Sequence, residues 1–228
     1  MSKAITMDGP AAAGKTTTAK FLAQQKESFL YVDTGAFYRT VAIALKQHNI
    51  SYQDIKPNIT DQICNILQNI KIYAIAKNNI QKMYINENNI QEPQLRTEDI
   101  SQLSSAASAL PEVRNYVNNA IRSYASEYNV IMEGRDTGTV ILPNANIKFY
   151  LTASLQTRSE RRLKDLQKKN IQTDIQTVLT DMKLRDERDI NRTVAPLKVA
   201  EGGIYIDNTE IPERISNQLI LGIVNHLL

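Results

Sequence analysis

Gly9-Pro10-Ala11-Ala12-Ala13-Gly14-Lys15-Thr16 follows the pattern G-x-x-x-x-G-K-[ST] residue for residue. Residues of these types suit the binding of a chain of phosphates. A loop curled around phosphate turns several backbone N–H groups inward, and the helix that follows adds partial positive charge at its N-terminus. At this spacing Lys15 can set its ammonium on the β- and γ-phosphates, and the Thr16 hydroxyl is a candidate ligand for Mg²⁺. Context supports the match: Ala4-Ile5-Thr6-Met7 ahead of the loop reads as a strand. Thr17, which extends the loop's phosphate contacts, opens the helical stretch Thr17-Thr18-Ala19-Lys20-Phe21-Leu22. The pattern specifies nucleoside triphosphate and leaves the reaction open.

Three later segments concentrate arginine: Asp33-Thr34-Gly35-Ala36-Phe37-Tyr38-Arg39, Glu133-Gly134-Arg135-Asp136-Thr137-Gly138-Thr139, and Arg185 to Arg192 ahead of Pro196. In the last, Arg185, Arg188, Asp189 and Arg192 share one helical face by their spacing. Arg and Asp alternating on a helix are ordinarily a solvated salt-bridge face. Three arginine-bearing segments converging on one sheet edge favour anion binding instead. An acceptor that is itself a phosphate is best held by the planar fork of Arg, and a group in transfer needs positive charge. No dedicated base is required, because a phosphate dianion is already a nucleophile. Asp33 and Glu133, each at a strand end, are the carboxylates able to order a metal's waters.

The elements that must position these residues are legible as short apolar runs. Ala4–Met7, Phe29–Val32, Asn129–Met132, Ile147–Leu151 and Ile204–Ile206 each end at a polar or Gly-containing turn, with helical patterns between most of them. Such alternation predicts α/β architecture, a five-stranded parallel sheet with helices on both faces and ligands at the carboxyl ends of its strands. Ile70 to Gln91 departs from it, reading as two or three antiparallel strands with turns at Asn78-Asn79 and Glu87-Asn88-Asn89. Thr97-Glu98-Asp99 then starts a helix that stops near Leu110, before Pro111, and a second helix runs to about Tyr128.

With 228 residues and a net charge of +3, the chain suits a single domain over 1–228 and lacks the basic blocks of a nucleic-acid binder. Cys64 is the only cysteine, which fits a reducing compartment. No basic leader or long apolar run is evident, so a cytoplasmic protein without membrane or nucleic-acid partners is expected. His48 and His226 stand without partner motifs. Tyr116, Tyr124 and Tyr128, at helical spacing, read as core.

Met7-Asp8-Gly9-Pro10, Asp33 to Arg39, Gly134 to Thr139 and Arg188-Asp189-Ile190-Asn191-Arg192-Thr193-Val194-Ala195-Pro196-Leu197 together resemble bacterial cytidylate kinases, from about residue 4 to 210. The D-G-F-P-R element of adenylate kinases and the D-R-[YFH] element of thymidylate kinases are absent. The resemblance implies a P-loop kinase core with a nucleoside-monophosphate-binding insertion over about 40–96 and a short lid over about 154–170. It implies a monomer that converts CMP or dCMP plus ATP to the diphosphate and ADP, with Mg²⁺. By the same resemblance Arg39, Arg135 and Arg192 hold the acceptor phosphate, and Ser105, Arg114 and Asp136 face the cytosine. Arg185 and Asp189 meet the sugar, Thr34 and Tyr38 line the same pocket, and the lid arginines, Arg158 first among them, reach the donor phosphates.

The chain departs from the pattern at three positions. Ala12 stands where many relatives have Gly, which predicts a loop residue outside the left-handed region. Thr16 stands where many have Gly and restores a possible metal ligand, and Phe37 replaces a more usual Met or Ile. Two other readings stay open at this point. One is a kinase for another small acceptor, such as shikimate or a different nucleoside monophosphate. The other is a nucleotide-dependent switch or ATPase with no metabolite acceptor.

Overall fold

The computed structural model describes residues 2–56, 59–77, 80–168 and 170–228. Its eight strands among these are β1 (Ala4–Asp8), β2 (Phe29–Asp33), β3 (Ile72–Lys77), β4 (Ile80–Ile85), β5 (Asn88–Ile90), β6 (Asn129–Glu133), β7 (Ile147–Thr152) and β8 (Ile204–Asp207). The helices are α1 (Lys15–Gln25), α2 (Thr34–Gln47), α3 (Thr60–Gln68), α4 (Glu92–Leu95), α5 (Glu98–Ala107), α6 (Pro111–Glu127), α7 (Leu155–Lys168), α8 (Ile175–Asn191) and α9 (Glu213–Leu227). All five apolar runs form the parallel sheet, in the order β2-β6-β1-β7-β8. Among the described residues no helix is long and apolar enough to cross a membrane.

The chain folds as two compact units, one built on Ser28–Val130 and the other on Lys3–Glu27 with Ile131–Leu228. In the second, β1 is buried on both faces, Ile5, Thr6 and Met7 all fully so, while β7 alternates buried Ile147, Phe149 and Leu151 with half-buried Lys148, Tyr150 and Thr152. α9 packs on α1 through Ile220 and Val224, with Thr18 Oγ1 donating to Asn217 Oδ1 at 2.7 Å inside the contact. Parallel register sets Asp8 beside Tyr150 and Thr152 beside Asp207, so β7 and β8 end together and β1 ends two residues before them.

In the first unit α2 is apolar nearly all round, and Phe37, Val41, Ala42, Ala44 and Leu45 are fully buried. Such a helix must be wrapped, and α5, α6 and β4 all pack on it. The antiparallel sheet β3-β4-β5 accounts for the segment that broke the alternation. Its second turn lies one residue earlier than expected. Ile85 pairs with Asn88, and Asn86, at φ 53°, takes the left-handed position that asparagine tolerates. The expected turn at Asn78-Asn79 lies outside the described residues. Pro111 opens α6 as its first residue, where a missing N–H costs nothing. The tyrosines of α6 are less uniform than their spacing predicts. Tyr124 is buried, the Tyr116 hydroxyl donates to Ile70 O at 2.7 Å, and Tyr128 is 42% exposed because it follows the helix end.

Candidate active site

The loop between β1 and α1 has the backbone an anion cradle needs. Gly9 sits at φ 145°, and a Cβ there would come within 1.9 Å of Leu151 O, so only glycine fits. Gly14 caps α1 at φ 93°, and no side chain among the described residues caps that helix start. Its first N–H groups are therefore left for a ligand. Ala12 corrects an expectation: at φ 56° it lies in the left-handed region after all. The loop's curl imposes this conformation whatever the residue, at a cost of about 1–2 kcal/mol for a side chain bearing Cβ. Ala12→Gly should thus be neutral or stabilising in denaturant unfolding. The usual cost of Ala→Gly is about 0.5–1 kcal/mol, and a loss of that size here would contradict the strain.

Lys15 is 5% exposed, and its Nζ donates to Pro10 O at 2.6 Å. Burial, with the nearby Arg135 guanidinium, pulls its ammonium well below the usual lysine range, while Glu133 and Asp8 oppose the shift. Phosphate placed in the cradle would restore the cation. Thr16 Oγ1 donates to Glu133 Oε2 at 2.9 Å, joining the loop to the end of β6. Two loop carbonyls are held from outside. Arg158 Nη1 donates to Ala11 O at 3.3 Å, and Asn208 Nδ2 donates to Ala13 O at 3.0 Å.

Asp8, 2% exposed, fastens the turn after β6. It accepts from Thr137 N (2.8 Å), Thr137 Oγ1 (2.6 Å) and Gly138 N (2.8 Å). Burial pushes its carboxyl upward, and these three donors pull against the shift. That turn presents Arg135 and Asp136 to α8 in reciprocal pairs. Arg135 Nε lies 2.9 Å from Asp189 Oδ2, and Arg192 Nη2 lies 3.4 Å from Asp136 Oδ1. Arg192, the cap residue after α8, also donates from Nε to Ala195 O at 2.6 Å. Burial alone would raise the Asp189 carboxyl, yet Arg135, Arg185 and Arg192 hold it below the usual range. Arg188 does not join its neighbours. Exposed, it donates to Leu184 O of its own helix at 3.3 Å. Arg185 is also exposed, close enough to Asp189 for its charge to be felt there. Asp186, off the helix face that Arg185, Arg188, Asp189 and Arg192 share, pairs with Arg158 at 2.7 Å.

The first unit holds the other candidates. Asp33 is the N-cap of α2, accepting from Ala36 N at 3.3 Å and Arg39 Nη2 at 2.6 Å, with Arg96 Nη2 at 3.5 Å. Gly35 gives Arg39 room to fold back, since a Cβ there would meet Arg39 Nη1 at 2.8 Å. Thr34 is buried at the start of the same helix. Arg114, 2% exposed, lies over the Tyr38 ring at 5.5 Å and donates to Ser108 O at 3.1 Å. Tyr38 OH donates to Asn118 Oδ1 at 3.4 Å, and Ser105 is half-buried on α5. Asp186 and Asn208 carried no sequence signal, because their partners lie far away along the chain; Arg96 pairs locally with Glu92 at 2.9 Å, and only its contact with Asp33 is long-range.

Burial would raise Asp33 as well, but Arg39 and Arg96 hold it below the ordinary carboxylate range. With the folded pKa depressed, this stabilisation is present above the unfolded value of about 3.9 and is lost as pH falls through the folded one. Unfolding free energy should therefore drop below about pH 4, and less steeply in Asp33→Asn. Parallel acid profiles for the two proteins would show that the pair contributes nothing.

The family model for cytidylate kinase matches residues 5–225. A cytidylate kinase of Carboxydothermus hydrogenoformans is 39% identical over 98% of this chain and 99% of its own. The Halalkalibacterium halodurans cytidylate kinase is 37% identical over 96% of each. Among solved structures, an uncharacterized protein from Eubacterium ventriosum shares the fold, with a TM-score of 0.55 at 14% identity over 99% of each chain. A putative kinase from Chloroflexus aurantiacus reaches 0.50 at 16% identity, covering 100% of this chain and 98% of that one. Cradle, arginine pairs and relatives agree on a P-loop phosphotransferase acting on a small nucleotide or metabolite. The chain belongs to the cytidylate kinase family.

Proposed function

We propose that the protein transfers the γ-phosphoryl group of ATP to CMP and dCMP, giving CDP or dCDP and ADP. One observation carries this reading furthest: Thr16 Oγ1 donates to Glu133 Oε2 at 2.9 Å and Gly134 N donates to Met7 O at 3.1 Å, so the arginine-bearing turn is fastened beside the phosphate cradle. An oxygen of the acceptor phosphate attacks the γ-phosphorus as the bond to ADP's bridging oxygen breaks. Lys15, and Arg158 which reaches the same loop at Ala11 O, neutralise charge on the donor phosphates; Arg135, Arg192 and Arg39 orient the acceptor phosphate. Asp189 and Arg185 take the sugar, with Thr34 and Tyr38 lining its pocket, while Asp136, Arg114 and Ser105 read the base.

Thr16 and Glu133 suit Mg²⁺. Their oxygens are hard donors, and this ion takes one or two such ligands with water and phosphate rather than a protein cage. Glu133 is preferred to Asp33 as the carboxylate, because Asp33 already serves Ala36 N, Arg39 and Arg96. When bound with ATP, the ion would neutralise charge between the β- and γ-phosphates. We read the protein as a cytoplasmic monomer, the single Cys64 fitting a reducing compartment.

The test is ADP formation from Mg·ATP with CMP, dCMP, UMP, AMP or shikimate in turn. CMP and dCMP should be fastest. A preference for shikimate or AMP, or equal ADP without any acceptor, would replace this reading with one of its rivals.

A further inference from the structure

When a loop turns its N–H groups toward an anion, its carbonyls point outward and need partners there. Pro10 O has Lys15 Nζ, Ala11 O has Arg158 Nη1, and Ala13 O has Asn208 Nδ2. Lys15 and Arg158 are cations that a triphosphate would compete for. Asn208 is neutral and 5% exposed, and its own backbone N donates to Thr152 O at 2.8 Å, anchoring it to the end of β7. Its amide has only one consistent orientation. The Ala13 carbonyl can only accept, so it takes Nδ2, and the Arg161 guanidinium can only donate, so it meets Oδ1 at 2.9 Å. Arg161 Nη2 also donates to Asn208 O, at 3.0 Å.

From this geometry we infer that Asn208 is a positioning residue for triphosphate binding: it holds the Ala13–Gly14 peptide with its carbonyl outward and the Gly14 N–H therefore inward. A trans peptide sets C=O and N–H on opposite sides, so fixing one aims the other. The clamp is needed because Gly14, at φ 93°, has no Cβ to resist a flip of that peptide. Through Arg161 the same side chain links the cradle to α7. The inference rests on the ATP-dependent reading above.

Asn208→Asp keeps the shape and loses the donor; Asn208→Ala removes both and serves as the second variant should the first fold poorly. Calorimetry with Mg·ATP, inorganic tripolyphosphate and CMP separates the possibilities. Both triphosphates should bind about tenfold more weakly in either variant, the effect expected of a carbonyl that loses its partner. CMP affinity should stay within about twofold, less than the loss of one hydrogen bond. Weaker ATP with unchanged tripolyphosphate would mean that Asn208 contacts the nucleoside and would overturn the inference. So would equal losses for all three ligands with a matching fall in Tm, or no loss at all. A wild-type protein that binds neither triphosphate would instead remove the ATP-dependent reading, and this inference with it.

Discussion

Lys15→Ala should lower kcat by about two to three orders of magnitude or more while leaving the affinity for CMP nearly intact. The ammonium is buried beside the cradle, held on Pro10 O at 2.6 Å until phosphate displaces that contact. Charge accumulates on the donor phosphates as transfer proceeds, so the loss falls on the transition state more than on ground-state binding. Fold stability should fall only modestly: the buried ammonium is gone, but Pro10 O loses its partner, a cost of about 1–3 kcal/mol. Steady-state kinetics with CMP titration and a thermal melt give the three quantities. A variant that retains half of wild-type turnover would detach Lys15 from the chemistry.

Asp136→Ala should narrow the preference for CMP over UMP. Cytosine offers an N4 amino donor where uracil offers an O4 acceptor, so a carboxylate there suits the first and faces the second unpaired. Each such mismatch costs about 1–3 kcal/mol, which makes discrimination of roughly a hundredfold reasonable for the wild type. Asp136 is 4% exposed and pairs with Arg192 rather than with the adjacent Arg135. Its removal therefore also loosens an arginine assigned to the acceptor phosphate, and kcat/KM should fall for both substrates. The ratio carries the information: CMP should fall much further. Equal falls would make Asp136 a support for Arg192 and nothing more.

Much of this fold was legible in the sequence because its signals are local. The five apolar runs become the strands of the parallel sheet; β1 and β6 are buried along nearly their whole length, while β7 alternates buried with half-buried residues. Pro111 and Asn86 each mark a boundary through their own backbone preference. The cradle was legible for the same reason: its residues are contiguous. What the sequence hid depends on tertiary partners. Asn208 sits 195 positions from Ala13, and Asp186 lies on the helix face that periodicity leaves out of the arginine set. Ala12 shows the limit of residue identity as a guide, since the closed loop dictates its backbone and the side chain bears the strain. Asp33 read as a strand-end carboxylate able to order a metal's waters until the fold brought Arg96 to it from another element.

On the proposed function the γ-phosphoryl group passes from the cradle to a nucleotide phosphate. This transfer is tested most directly by ATP labelled in that group, incubated with Mg²⁺, CMP and the protein, with products separated and counted. The label should appear in CDP, one equivalent for each ADP formed, with little in inorganic phosphate. Label recovered in inorganic phosphate at the same rate with or without CMP would contradict it.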